Sequence, residues 1–579
     1  MNRLSFPRAL FVLLLAAAFV PALRAQKVPV TEHFLPNGLK VLLLERHDSP
    51  DIAGGWVARV GSANERPGIT GIAHLFEHMM FKGTPTIGTK DYKKDVKIIN
   101  EQERVRGLMR EEESKMRAAW RRGEIDDPFK IENRTARYKE LDVQFKKLVD
   151  EQRSIIVKNE FDRIYTAGGG SSMNAYTSND MTAYFITVPA NKLELFMWME
   201  SERLLRPVFR EFYAERDVVF EERRMRTDST PTGKFDEAFS SMIWESHPYS
   251  WPVIGWPSDI PAISKEQADE FYATYYAPQN LTLILVGDFK SADTLKQVEQ
   301  YFGRIPKGEK PAPEVITLEM KPNAEKRMYA EAETNPQIEI VWHTVPFGHK
   351  DSYPLMVLGQ ILSTRTGRLY KNLVLGGKVA TSSSAGQHSL KYAGLFYADG
   401  ECREGNAPEA VEKAIYVELE KVQQTPVPAE ELQKVKNNFA ASEYRRLANN
   451  HAILQQLMRM EGTGDWREIN EAGKKYQTVT TADIQRVAKT YFAKENRAVI
   501  VYTRKPSAAG AAQPVLSADQ QKQFAVVSQK IKAETDAGKL KLQLESMKPQ
   551  ASQVPPAVKP YFDLVLKTLK DRITELEKK

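Results

Sequence analysis

The sequence holds a single cysteine, Cys402. No intrachain disulfide can form, and no set of thiolates exists to complete a zinc-finger ligand set. A metal site in this chain must therefore be built from histidines and carboxylates. No cysteine lies in the residues just after the N-terminal apolar run, which argues against a lipid-anchored start. Beyond that run, no stretch is long and apolar enough to span a bilayer. The excess of one charge sign is small as well. Lys plus Arg total 82 and Asp plus Glu total 75, a formal +7 over 579 residues. No basic cluster interleaves with aromatics, so no nucleic-acid partner is expected.

What is present starts at the N-terminus. Arg3 and Arg8 precede an apolar run over residues 9–20, followed by Pro21-Ala22-Leu23-Arg24-Ala25. This is the layout of a secretory signal peptide over residues 1–25. Cleavage is expected after Ala25, leaving an exported periplasmic or extracellular protein with no stable membrane anchor. With 42% hydrophobic residues, the chain has apolar material for two or three packed domains.

Residues 39–44 and 55–60 read as strands, and an apolar helix follows over about 72–81. Gly83-Thr84-Pro85 ends that helix with turn chemistry. Residues 91–160 then become dense in charge. Ile98, Val105, Met109 and Met116, then Tyr138, Leu141, Phe145 and Leu148, recur at helical spacings. Gly123 and Asp126-Asp127-Pro128 part the two runs, which predicts a helical hairpin inserted into the first domain. Residues 176–188 read as strand-like, 192–205 and 210–226 as helices, and 280–289 as a buried strand. Residues 307–322 are rich in Pro, Lys and Glu and read as a linker.

A repeat links the two halves. Ile263-Ser264, Thr274-Tyr275-Tyr276-Ala277 and Asn280 lead into an apolar strand. Val479-Thr480, Thr490-Tyr491-Phe492-Ala493 and Asn496 do the same at a constant offset. Two related α/β domains are therefore expected, over 27–306 and 323–506, with a helical tail over 507–579.

The chemistry gathers at Ala73-His74-Leu75-Phe76-Glu77-His78-Met79. Residues four apart on a helix share a face, so His74 and His78 can aim at one ion. Glu77, beside them, can take a proton from a water that the metal has polarised. Ile72, Leu75, Phe76 and Met79 make this a core helix, where unpartnered imidazoles would cost several kcal/mol. A catalytic zinc needs a third protein ligand. Residues 215–225 offer Glu215 and Glu222 on one helical stripe with Val218, Val219 and Met225. Two readings stay open there: a metal ligand with its support, or a helix laced by Arg216, Arg223 and Arg224.

His-x-x-Glu-His is the inverted zincin order. GITGIAHLFEHMMFKGT, NAYTSNDMTAYFITVP and ERDVVFEERRM together resemble the pitrilysin/insulinase family of zinc metallopeptidases, over about residues 30–505. The likeness is greatest to its short two-domain branch, which includes proteins similar to mitochondrial processing peptidase. The resemblance implies an α+β fold of two related domains, with mostly antiparallel sheets flanked by helices in a half-clamshell. It implies one Zn²⁺ held by His74, His78 and Glu222, with Glu77 as base and Glu215 supporting from behind. It also implies an edge strand at Asn174-Ala175-Tyr176 that pairs with an extended peptide substrate.

The insertion at 91–160 and one pair of residues depart from the family pattern. Following Arg368-Leu369-Tyr370, the family's Arg and Tyr positions fall on Val374 and Thr381. A related partner chain supplying them, in a heterodimer, or else a homodimer, is therefore expected. The competing reading is a non-catalytic subunit or peptide-binding chaperone on the same scaffold.

Overall fold

Apolar runs bounded by turns build two sheets. The computed structural model describes residues 27–505, 518–547, 554 and 559–577; the expected signal segment lies outside the described residues. The first sheet comprises β1 (Thr31–Phe34), β2 (Lys40–Glu45), β3 (Asp51–Ala58), β4 (Ser171–Thr177), β5 (Thr182–Pro189) and β6 (Leu281–Gly287). Their spatial order is β1-β2-β6-β3-β5-β4. Only β2 and β6 run parallel. Central β3 and β6 are buried on both faces, so each reads as an unbroken apolar run.

The stretch at 176–188 is not one strand. Ser178-Asn179-Asp180 form a turn, closed by the Ser178 N–H donating to the Met181 carbonyl at 2.9 Å. These are side chains that favour turns, but no glycine or proline marks the break. The turn makes β4 the edge of the sheet, paired on one side only.

Helices cover the sheet. α1 (Ile72–Met79) carries the His-x-x-Glu-His segment, and α2 (Tyr92–Arg121) and α3 (Ala136–Ile155) form the inserted hairpin. α4 (Phe212–Arg223), α5 (Gly233–Ile243) and α6 (Lys265–Tyr275) follow. Phe76, Phe196, Tyr184 and Phe271 share the buried core of this half, with Phe76 stacked on Phe271. Val105, Met109, Met116, Tyr138 and Leu141 form the hairpin's own seam. Buried Asp95 fixes its root, accepting from Gln152 Nε2 at 2.8 Å and from Arg210 Nε at 2.5 Å.

The second sheet comprises β7 (Lys326–Ala332), β8 (Gln337–Thr344), β9 (Ala380–Ser389), β10 (Gly394–Cys402) and β11 (Arg497–Arg504), ordered β7-β11-β8-β10-β9. Its one parallel pair is β7 with β11. Strand order and sense thus repeat those of β2-β6-β3-β5-β4. The sequence repeat has a local cause. α6 opens with a capping box of Ser264 and Gln267, and α8, counted after α7 (Asn450–Thr463) and spanning Thr481–Tyr491, opens with Thr480 and Asp483. The amides of Asn280 and Asn496 donate to the carbonyls of Tyr275 and Tyr491, both at 2.8 Å.

Each sheet borrows a helix from the other half. α7 lays Ile453, Leu454, Leu457 and Met458 on the first sheet. Its buried Glu461 accepts from Lys40 Nζ and Thr282 Oγ1, both at 2.9 Å. α5 returns the exchange, with Phe239 and Ile243 packed on the second sheet. Both sheets consequently belong to one compact unit. The tail is a separate unit. Where the sequence suggests one helix from about 559, the described residues hold three: Ala518–Ala533, Ala537–Met547 and Lys559–Glu577. Ile531, Leu540, Leu544, Val565, Leu569 and Ile573 form their shared core.

Candidate metal centre

The metal helix is held at its start by the backbone. Gly71 caps α1 with φ of 91°, and a Cβ there would meet the Ile254 carbonyl oxygen at 2.5 Å. Only glycine fits such a position. Buried Glu65 then accepts from the N–H groups of Gly71 at 2.9 Å and Ala73 at 2.8 Å. A carboxylate at a helix N-terminus satisfies orphan donors there. Burial nonetheless pushes the Glu65 carboxyl well upward, against those two hydrogen bonds.

From this anchored helix His74 and His78 project toward α4. His74 Nε2 lies 3.8 Å from Glu222 Oε2, and His78 Nε2 lies 3.4 Å from the same oxygen. One ligand atom from each of the three residues falls within 4.8 Å of the others. Tetrahedral zinc with bonds of about 2.0–2.2 Å needs donors at about this separation. This is the one such group of His, Cys, Asp or Glu among the described residues. His74 Nδ1 is buried with no hydrogen-bond partner, so no hydrogen bond offsets the imidazole's desolvation. Two imidazole nitrogens and a carboxylate oxygen at these separations are a donor set that zinc takes, and the residues therefore fit the metal.

The electrostatics agree. Burial holds His74 down at about 3, helped by the positive charge of His78 and Arg226. The ring is neutral, as a ligand must be. Burial also pulls on His78, but the hydrogen bond and charge of Glu215, with Glu222 and Glu77, outweigh it and shift His78 upward. Burial raises Glu77, while a hydrogen bond from Thr177 Oγ1 to Glu77 Oε2 at 2.7 Å partly offsets this. A carboxylate displaced upward suits a base.

Glu215 stands 3.4 Å from His78 Nδ1, on the side away from Glu222. Lys82 pairs with Glu215 in turn and lies 3.4 Å from Glu211. Burial of Glu215 is outweighed by His78 and Lys82, which hold its carboxyl low. Carboxylate partners of this kind fix a ligand imidazole's orientation. The stripe of α4 is not the core face that its apolar residues suggest. Val219 is buried, but Val218 and Met225, the latter beyond the end of α4, are exposed, while Glu215 and Glu222 approach the histidines of α1.

Three contributors escape sequence reading: Glu65, Thr177 and Arg226. Arg226 Nη2 pairs with Glu222 Oε1 at 2.8 Å, placed by the π-helical turn Arg224–Asp228. On β4, Asn174 Oδ1 accepts from the Ala175 N–H at 2.8 Å, and Tyr176 packs near Phe185. Val374 and Thr381 carry no cation to this centre. Val374 is buried in the second core, and Thr381 Oγ1 donates to Glu401 Oε1 at 3.0 Å.

A His-x-x-Glu-His helix joined by a glutamate from a second helix is the donor arrangement of the inverted zincins. Residues 40–104 match the family Insulinase (Peptidase family M16), and residues 262–439 match the Peptidase M16 inactive domain. Both halves of the chain are thus similar to M16 domains, the insulinase- and pitrilysin-like family. The chain is similar to the zinc protease PqqE of Helicobacter pylori, with 27% identity over 81% of this chain and 91% of that protein. Its fold resembles that of a crystallised protease from Helicobacter pylori, with a TM-score of 0.67 and 23% identity over 83% of this chain and all of that one. It also resembles the periplasmic protease PqqL from Escherichia coli, with a TM-score of 0.60 and 18% identity over 83% of this chain and 48% of that one.

Proposed function

We propose that this protein is a zinc-dependent endopeptidase acting on peptides or unfolded segments. The observation that carries this reading is the convergence of His74, His78 and Glu222 beside Glu77. Zinc, when bound, supplies Lewis acidity toward the scissile carbonyl and acidifies water. His74, His78 and Glu222 would hold the ion. Glu77 takes the proton of the attacking water and returns it to the leaving amine. Thr177 holds Oε2, which leaves Oε1 for that transfer. Glu215 keeps the His78 ring turned toward the ion.

The open edge of β4, at Asn174, Ala175 and Tyr176, receives an extended peptide by backbone pairing. Such pairing reads shape more than sequence. The N-terminal segment supports export, and the similar PqqL is described as periplasmic. Val374 and Thr381 supply no charge for a developing oxyanion, whose stabilisation is worth several kcal/mol. A related partner chain bringing an Arg and a Tyr completes the site in this reading.

Hydrolysis of unstructured peptides by the purified chain, with zinc removed and restored, tests it. Activity that follows zinc supports the peptidase. Full activity of the homogeneous chain alone removes the need for a partner. A zinc-bound chain that binds peptides and never cleaves them, with or without related chains, supports the chaperone alternative instead.

A further inference from the structure

The inserted hairpin is tied to the body at its root and midway, and then leaves it. α2 alone has 30 residues, a length of about 45 Å. At the root, Asp95 pairs with Arg210, and the Lys90 N–H donates to the Ile155 carbonyl at 2.8 Å. Midway, Arg110 Nη1 donates to the Tyr213 hydroxyl at 3.2 Å, and Phe145 meets the same ring edge-on. Among the described residues, every hydrogen bond and ion pair of residues 114–140 closes within the hairpin itself.

Three large apolar side chains stand at this free end. Trp120 is 50% exposed, Phe129 54% and Ile131 66%. The hairpin has its own apolar seam, and Ile125 of the same turn packs there. Trp120, Phe129 and Ile131 stay outside it. The turn that carries them is held in place. The Phe129 N–H donates to Asp127 Oδ1 at 2.7 Å. Asn133 Nδ2 donates to Asp126 Oδ1 at 2.9 Å and to the Asp127 carbonyl at 2.7 Å. Apolar area kept in water on an ordered turn is unfavourable until something covers it.

Charge separates in the same direction. Over residues 92–116 and 140–155, Lys and Arg equal Asp and Glu at ten each; over the tip, 117–139, they outnumber them seven to four. Three of those four acids are engaged: Asp126 by Lys130 and Asn133, Asp127 by the Phe129 N–H, and Glu124 by Arg122 at 2.6 Å. Glu132 is exposed and unpaired. Among the described residues, Arg117, Arg121 and Lys139 have no acidic partner. Arg117 lies one helical turn before Trp120, and Arg121 one turn after Arg117, so both cations flank the ring.

We propose that the hairpin tip is a reversible anchor on anionic lipid surfaces. Trp120, Phe129 and Ile131 enter the headgroup boundary, and Arg117, Arg121 and Lys139 face lipid phosphates. A lipid boundary accepts a convex apolar tip without a preformed pocket, and its phosphates answer the surplus of cations. Aromatic rings beside snorkelling cations suit that depth. The attachment is peripheral, since no helix among the described residues is long and apolar enough to cross a membrane. It makes no use of the metal centre and stands apart from the peptidase reading.

Co-sedimentation of the full chain with vesicles tests it. Vesicles of phosphatidylcholine mixed with phosphatidylglycerol should bind the chain about tenfold more tightly, or more, than phosphatidylcholine alone. Salt at about 1 M, where the Debye length is about 3 Å, should remove most of that difference. Combining Trp120→Ser, Phe129→Ser and Ile131→Ser should abolish binding. Arg117→Glu with Arg121→Glu should abolish the preference for phosphatidylglycerol. All five positions are at least partly exposed, so unchanged thermal melting should report that both variants are folded. Quenching of tryptophan fluorescence by brominated lipid, present in wild type and lost in Trp120→Phe, should place the tip in the boundary. Wild type that binds neither vesicle overturns the proposal. So does binding that the triple variant retains, which would put the contact elsewhere on the chain. Loss of self-association in the triple variant, by light scattering and without vesicle binding in wild type, would mark the tip as a protein interface instead.

Discussion

The two halves repeat one strand order but differ in the helix that follows the central strand. After β3 comes α1, with His74, Glu77 and His78 among its apolar residues. After β8 comes the helix Ser352–Ser363, SYPLMVLGQILS, buried with no histidine or carboxylate. The same architecture therefore stands with and without metal donors. The sheet and its helices recur in both copies, and the candidate metal donors are an addition to one of them. The first half also makes room for these donors. Gly71 and Glu65 anchor the start of α1, and the insertion walls the space beyond its end.

The sharpest break in this comparison is Glu77→Gln. Turnover should fall by a factor of about 10²–10⁴ or more while zinc stays bound. Metal analysis beside a peptide assay checks it. Next in size is the converse substitution in the other half. Leu358→Ala, in the fully buried counterpart helix, should cost about 2–5 kcal/mol by denaturant titration and leave zinc content at one per chain. Chelation should do the opposite, removing activity while far-UV circular dichroism is retained.

Glu215→Gln should weaken zinc binding by about 10- to 100-fold, read by chelator competition. The smallest effect is in pH. Zinc must displace protons from its imidazoles. His78 is shifted upward, so its competition begins above the ordinary histidine range and grows as pH falls. His74, held at about 3, stays neutral through that window. Zinc affinity should therefore fall by about tenfold per pH unit on acidification below the His78 value, one proton per ion rather than two. A slope of two protons would show that His74 titrates as well.

Much of the centre was legible because it is local. A four-residue spacing fixes two histidines on one helical face whatever surrounds them. Glu222 stayed ambiguous because its helix also explains itself by ion pairs; in the structure it faces the histidines with one oxygen and, with the other, Arg226 rather than Arg216, Arg223 or Arg224. The β4–β5 turn was hidden because its break carries no glycine or proline. Glu65 and Thr177 act only through tertiary approach, which no periodicity encodes. The exchange of α5 and α7 between the sheets was hidden for the same reason.

A zinc-edge anomalous difference map from crystals of the full chain addresses the centre most directly. This account expects one strong peak within about 2.0–2.2 Å of an imidazole nitrogen of His74, one of His78 and a carboxylate oxygen of Glu222. A peak bound elsewhere, or one from which Glu222 stands apart, would contradict it.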